Sequence, residues 1–267
     1  MFDSYLKRWD LVADGAPFST HSSRLLPVRW RGLPAMLKIA IEAEEKFGSG
    51  VMAWWDGVGA ACVYARDADA VLLERADGSR SLLDMAMTGE DDEASRIMCR
   101  VAAKLHAPRD RPLPDAIPLE RWFEALEPGA ARHGGVLATC AEVARGLLPA
   151  QREIAVLHGD IHHLNILDFG QRGWLAIDPK RLIGDRGFDF ANIFCNPDLP
   201  SAVQPERFAR QLEVVTEAAG IERERLLRWI MAYAGLSAVW FLDDGMAADT
   251  DIAVARMAAA ALDLPVA

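Results

Sequence analysis

The texture of this chain changes near residue 80, and that change limits its fold more than any single motif. Before it come short apolar runs broken by Gly and Pro: "RLLPVRW", "RGLP", "AMLKIAI", "ACVYA" and "AVLLERA". Runs of this length, separated by "RGLP" and "RDAD", read as strands joined by tight turns. One helix interrupts them, "EAEEKFGSGVMAWW", in spite of Gly48 and Gly50, which weaken helix interiors. From residue 88 the period lengthens. In "TGEDDEASRIMCRVAAKLHAP", Ile97, Met98, Val101, Ala102 and Leu105 form one stripe. Acids crowd its start and Lys104 and His106 its end, the order that suits a helix dipole. Four prolines in "APRDRPLPDAIPL" make a connector, and further helices are expected around 120–127, 134–148, 206–219 (closed by Gly220), 222–242 and 250–262. The pattern predicts an α+β chain of two lobes. Residues 1–78 form a small strand-rich lobe, and residues 79–267 a larger, mainly helical one.

Composition narrows the function classes. With 51% apolar and 25% charged residues the chain is ordinary globular material. The opening "MFDSYLKRWD" has no apolar h-region, and even "YAGLSAVWFL" stops at Asp243, so neither a secretory leader nor a membrane span is expected. Cys62, Cys99, Cys140 and Cys195 lie far apart, with no C-x-x-C pair. That argues against a zinc ribbon or disulfide framework and fits reduced, cytoplasmic thiols best. Against 29 Lys and Arg stand 39 Asp and Glu, a net charge of −10. Nucleic acid, which is bound through Lys and Arg, is a poor partner for such a chain. The acidity fits a cationic small substrate, and it equally fits solubility alone.

The chemistry concentrates in "HGDIHHLN", residues 158–165, directly after the apolar "IAVL". A metal cage is one reading, because His158 and His162 stand four apart. The metalloprotease form H-E-x-x-H needs Glu after the first His, however, and Gly159 and Asn165 mark a loop rather than a helix. Phosphoryl transfer is the better reading. Protein kinases place an Asp that accepts the hydroxyl proton five residues before an Asn that holds Mg²⁺. Asp160 and Asn165 have that spacing. Thirteen residues on, "GWLAIDP" ends an apolar strand in Asp178, a second hard oxygen ligand for Mg²⁺. Upstream, "PAMLKIA" puts Lys38 where a cation would hold the α- and β-phosphates of ATP. His158 is expected to fix the loop by hydrogen bonds, and His162 and His163 stay open between solvent and substrate.

These motifs resemble the aminoglycoside/hydroxyurea phosphotransferase family, on its streptomycin 6-phosphotransferase side, within the protein-kinase-like fold. The likeness is most specific at "VLHGDIHHLNIL", "RGWLAIDPK" and "GDRGFDFANIFCNPD", and extends through "THSSRLLPVRWRGLPAMLKIA" and "AVLLERADG". It implies a small antiparallel-sheet N-lobe, a helical C-lobe, and ATP-dependent phosphorylation of a small-molecule hydroxyl, with an aminoglycoside or aminocyclitol acceptor. It places the adenine against Leu73 to Ala76, so that Glu74 and Ala76 border the nucleotide.

The chain departs from protein kinases in ways that bear on mechanism. Gly159 stands where they carry the Arg that docks a phosphorylated activation loop. No A-P-E follows, so a protein acceptor is not expected. "THSSRLL" replaces the Gly-rich phosphate loop, leaving Ser22 or Ser23 to contact phosphates. Lys38 needs a helix carboxylate, which is assigned to Glu45 over Glu44 and Glu42. Acceptor contacts are assigned to Asp189, Asp243 and Asp244, although Asp189 can also be read as a buried anchor of the loop. Asp243 and Asp244 end an apolar helix, where acids are electrostatically awkward. "GVGAAC" imitates a dinucleotide fingerprint but reads as a turn, and no P-loop motif occurs. A sugar or amino-alcohol metabolite kinase, a nucleotide-binding module without turnover, and a histidine-based metal hydrolase are the alternatives.

Overall fold

Alternation decides the small lobe. The computed structural model describes residues 2–20, 22–41, 45–197 and 199–265. A short helix, α1 (Phe2–Arg8), leads into β1 (Leu11–Ala13), β2 (Phe18–Ser19), β3 (Ser23–Trp30) and β4 (Leu33–Ala40). Helix α2 (Glu45–Trp55) follows, then β5 (Val63–Arg66) and β6 (Ala70–Glu74). The strands form one antiparallel sheet in the order β1-β3-β4-β6-β5, with β2 beside β3. Arg31 and Gly32, both at positive φ, close the β3–β4 hairpin in the two residues that "RGLP" suggests. Leu26, Val28, Leu37, Ile39 and Leu72 point to one face and make a small core that α1 covers with Phe2, Tyr5 and Leu6. The other face carries Leu25, opposite Lys38, and Leu73, opposite Met36.

The two lobes share their larger core. Val51, Met52 and Trp55 of α2, with Val71 and Leu73 of β6, belong to one buried cluster with the C-lobe helices. The chain itself crosses early. Gly59 and Ala61 bond to Ala176, at 2.9 and 3.0 Å, before β5 returns to the sheet. Gly57 and Gly59 both take positive φ, so "GVGAAC" is a turn and then a bridge.

The C-lobe is built from α3 (Leu82–Met87), α4 (Asp91–His106), β7 (Ile117–Pro118), α5 (Leu119–Trp122), α6 (Leu126–His133) and α7 (Val136–Leu147). The strands β8 (Ile154–Leu157), β9 (Ile166–Asp168), β10 (Trp174–Ala176) and β11 (Leu182–Asp185) follow. Four helices close it, α8 (Leu199–Ala202), α9 (Pro205–Ala219), α10 (Arg223–Asp243) and α11 (Asp249–Ala261). The helix expected over 120–127 is two pieces, because Pro128 can stand only in a first turn and therefore restarts the helix at α6. Gly220, at φ 60°, closes α9 as its sequence suggests. Among the described residues α10 alone has the length and hydropathy of a membrane span, but 72% of its apolar window is buried in this core.

Candidate active site

Two short hairpin strands deliver the site. β8 brings the chain to His158, and β9 leaves from Asn165, paired antiparallel with β10, which ends two residues before Asp178. The intervening loop turns at Gly159, φ 81°, where a Cβ would lie 2.7 Å from Leu182 Cδ1. Only Gly satisfies both the left-handed φ and the close approach.

Asp189 holds this loop from below. One carboxylate oxygen accepts from the His158 amide at 2.8 Å and from His106 Nε2 at 2.7 Å; the other accepts from the Gly159 amide at 2.6 Å. Its side chain is 0% exposed. The expectation that Asp189 touches the acceptor is therefore corrected: its oxygens are consumed by loop amides and His106, and none faces a cleft.

His158 is the internal strut. Its Nε2 donates to the Ile177 carbonyl at 2.8 Å and its Nδ1 accepts from the Asp160 amide at 3.2 Å. Burial pushes its pKa down, so the ring stays neutral in the tautomer these bonds require. Its face lies against Trp55 of α2, 6.2 Å between centroids and 14° between planes. Burial likewise lowers the pKa of His162 and of His163, that of His163 to about 3. His163 is 2% exposed, which removes the solvent-facing option for that ring.

Four residues that the sequence picks out converge here. Asn165 Nδ2 donates to the Asp160 carbonyl at 3.0 Å and to Asp160 Oδ2 at 3.2 Å, leaving its Oδ1 as a cation ligand. The Asn165 carbonyl accepts from the Ile177 amide at 2.9 Å, which ties it to the residue before Asp178. Asp178 sits at φ 58°, a strained setting for a non-Gly residue. Its Oδ1 meets Lys38 Nζ at 2.6 Å, across 140 residues of chain. Lys38 is nearly buried while Asp178 is one-third exposed, so the second carboxylate oxygen looks outward. Hard oxygens from one Asn and one Asp, beside a lysine, suit a Mg²⁺–nucleotide. Among the described residues no cluster of three or more His, Cys, Asp or Glu could cage a metal, which leaves the zinc reading without support.

The other assigned residues are less uniform. Ser23 is on the Lys38 face of the sheet, but its hydroxyl is fully covered and has no partner among the described residues, so it is closed to a phosphate in this conformation. Ser22, half-buried at the turn, is spent through its carbonyl on the Ile41 amide at 2.8 Å. Glu74 turns its carboxylate away, onto Arg172 and the Cys62 amide, so only its backbone is left to border a nucleotide. Ala76 is half-buried and packs against the shared core. Glu42, Glu44 and the side chain of Glu45 lie outside the described residues, so the partner assigned to Lys38 has no placement here. Asp243 is corrected as well. Its carboxylate is taken by Arg132 and His133 of α6, and the Arg132 guanidinium, then His133, hold its pKa below the usual carboxylate range. Asp244 follows it as an exposed helix cap.

Sequence reasoning missed Asn192. Its Nδ2 donates to Asp160 Oδ1 at 2.8 Å. It follows Asp189 by three residues in consecutive 3₁₀ turns, a spacing that puts both side chains on the side facing the loop. That spacing is visible in "GFDFAN" and was the available signal.

A family model for aminoglycoside/hydroxyurea antibiotic resistance kinases matches residues 8–245. This chain belongs to that family. It is 52% identical to a streptomycin 3''-kinase of Klebsiella pneumoniae, over 97% of this chain and 100% of that protein. It is 32% identical to a streptomycin 6-kinase of Streptomyces glaucescens, over 93% of this chain and 84% of the other. Among solved structures, the apo form of a thermostable aminoglycoside phosphotransferase APH(4)-Ia superposes with TM-score 0.65 at 16% identity, covering 98% of this chain and 99% of that one. That likeness establishes the protein-kinase-like fold. As an antibiotic resistance kinase the protein is a phosphotransferase that acts on a hydroxyl of a small molecule.

Proposed function

We propose that this protein phosphorylates streptomycin, with Mg²⁺ATP as donor and Asp160 as the base. One observation carries the reading. Lys38 pairs with Asp178 at 2.6 Å and Asn165 with Asp160 at 3.0 and 3.2 Å, and the Ile177 amide on the Asn165 carbonyl joins the two pairs just before Asp178, an arrangement suited to phosphoryl transfer. The likeness to a 3''-kinase at 52%, against 32% for a 6-kinase, favours the 3''-hydroxyl over the 6-hydroxyl. Residues 1–78 then serve the nucleotide and residues 79–267 the acceptor.

Each side chain has a part in this reading. Lys38 neutralises α- and β-phosphate oxygens while its bond to Asp178 keeps both in register. Asn165 Oδ1 and the outward oxygen of Asp178 would hold Mg²⁺, which when bound offsets phosphate charge. Asp160 accepts the proton of the acceptor hydroxyl as the new O–P bond forms and the bond to ADP breaks. Streptomycin is cationic, which fits a chain of net charge −10.

The test is purified protein with ATP, Mg²⁺ and streptomycin, the product being mapped by phosphorus–proton NMR. Phosphate at the 3''-oxygen is expected. Phosphate at the 6-oxygen would move the protein to the other side of the family, and no transfer to streptomycin would end the reading. Asp178→Ala should remove the Mg²⁺ dependence of nucleotide affinity along with transfer. An unchanged dependence would take Asp178 out of the metal site.

A further inference from the structure

Asp160 is gripped by two amides, and only one comes from the motif that identifies it. Asn165 holds Oδ2, and Asn192 holds Oδ1 from a different element, the turn after β11. Asn192 is buried, 5% exposed, and is itself fixed. Asn196 Nδ2 donates at 2.9 Å to both the carbonyl and Oδ1 of Asn192. That double contact decides which way the Asn192 amide faces. If flipped, its NH₂ would meet the Asn196 NH₂, and its oxygen would meet the Asp160 carboxylate.

We propose that Asn192 is a positioning residue for phosphoryl transfer, and that Asn196 acts through it. The inference rests on Asp160 being the base. A carboxylate bound through one oxygen can still turn about its Cβ–Cγ bond. One amide on each oxygen fixes its plane, so that the remaining lone pairs face the acceptor hydroxyl at a set angle. The bonds to Asn165 and to the loop amides fix where the loop lies, and Asn192 fixes how the carboxylate is rotated within it. His162 does not share this task, since its Nε2 is 3.8 Å from Oδ1, beyond hydrogen-bond reach. Asn196 also belongs to the segment whose Cys195 contacts Asp251 of α11, so the relay leads from the base toward the last helices.

The experiment is a mutant cycle on the full-length protein with streptomycin, ATP and Mg²⁺. Asn192→Ala is expected to lower kcat about ten- to hundredfold, the value of a hydrogen bond to a charged group. KM for ATP and the thermal midpoint should stay near those of the parent. In an Asp160→Asn background, Asn192→Ala should cost less than about threefold, because its effect passes through the carboxylate already lost. Asn196→Ala should give a smaller loss, about three- to tenfold, which disappears when Asn192 is already Ala. This second variant carries the test if Asn192→Ala does not fold. Asn192→Ala within threefold of the parent kcat, or a full loss in the Asp160→Asn background, would overturn the proposal. If Asp160→Asn alone left kcat intact, the assignment of the base would fail first, and the two failures are distinguishable.

Discussion

The loop at 158–165 and the end of α10 are both rich in acids and their partners, yet they use carboxylates in opposite ways. At the loop, Asp189 is sealed off and spends its oxygens on two backbone amides and His106, while Asp160 above it stays partly open. At the end of α10, Asp243 lies at the surface against Arg132 and His133 of the neighbouring helix. The first arrangement pays desolvation to obtain fixed geometry; the second obtains little, because water screens an exposed pair. Position in a polar framework, rather than an acid's presence near an apolar helix, separates frame from site.

Four variants test that separation. The largest effect is expected from Asp160→Asn, with kcat lowered about 10²–10⁴-fold, the worth of a positioned base, while ATP affinity and the thermal midpoint hold. Steady-state kinetics beside a melting curve decides it; wild-type kcat at saturating substrate would break the assignment. Asp189→Ala should behave differently and lose stability together with activity. It strands two loop amides and His106, each buried donor costing about 1–3 kcal/mol. A variant that melts like the parent but is inactive would instead return Asp189 to the acceptor site.

Asp251 gives an intermediate case. It is 6% exposed, and burial raises its pKa while Ser237 and Cys195 partly offset the shift. The folded state therefore keeps its proton to higher pH than the unfolded chain does. That contribution is complete below the unfolded value near 3.8 and is lost as pH rises through the folded value. Asp251→Asn, which cannot ionise, should gain thermal midpoint relative to the parent between pH 4 and pH 8. Melting at both ends of the range checks the sign, and a constant gap would refute it. The smallest effect is expected from Asp243→Asn with Asp244→Asn, less than about twofold in acceptor KM. A larger rise, with KM for ATP unchanged, would restore the end of α10 to the acceptor pocket.

What could be read in advance follows the same line. Lys38, Asp160, Asn165 and Asp178 converge as their spacing suggests, because the chemistry fixes both residue type and order along the chain. The longer strands β3 to β6, the strand β10 and most of the longer helices were legible from period, while two- to four-residue strands such as β1, β2, β7, β9 and β11 are too short to show one. The short α1 was not: its apolar positions Phe2, Tyr5 and Leu6 span less than two turns, and none of its residues is fully buried. Nor was the Ser81 cap that starts α3, although its S-x-x-D signature stood in the sequence. Asn192 and Asp243 escaped for a different reason, and the two readings of Asp189, loop anchor or acceptor contact, stayed undecided for the same one. Their roles depend on partners 30 to 110 residues away, such as Gly159 for Asp189 and His133 for Asp243, and a side chain's pairing across such separations leaves no local period.

The early crossing of the chain has a mechanical consequence. Residues 59–61 are stitched to β10 on one side of the cleft, and near the linker Gly78 and Arg80 are fastened to Asp168 on β9. Two moorings define an axis, and a body tied at both can roll about that axis but cannot yaw or slide. Asp178 follows Ala176, one of the moored residues, by two positions, so its bond to Lys38 is made next to a tied point. A machine aligned by its hinges needs no switch to align it, which suits an enzyme whose catalytic loop carries Gly159 where regulated kinases keep an arginine. Protein free of phosphate should accordingly work at full rate as it leaves the ribosome.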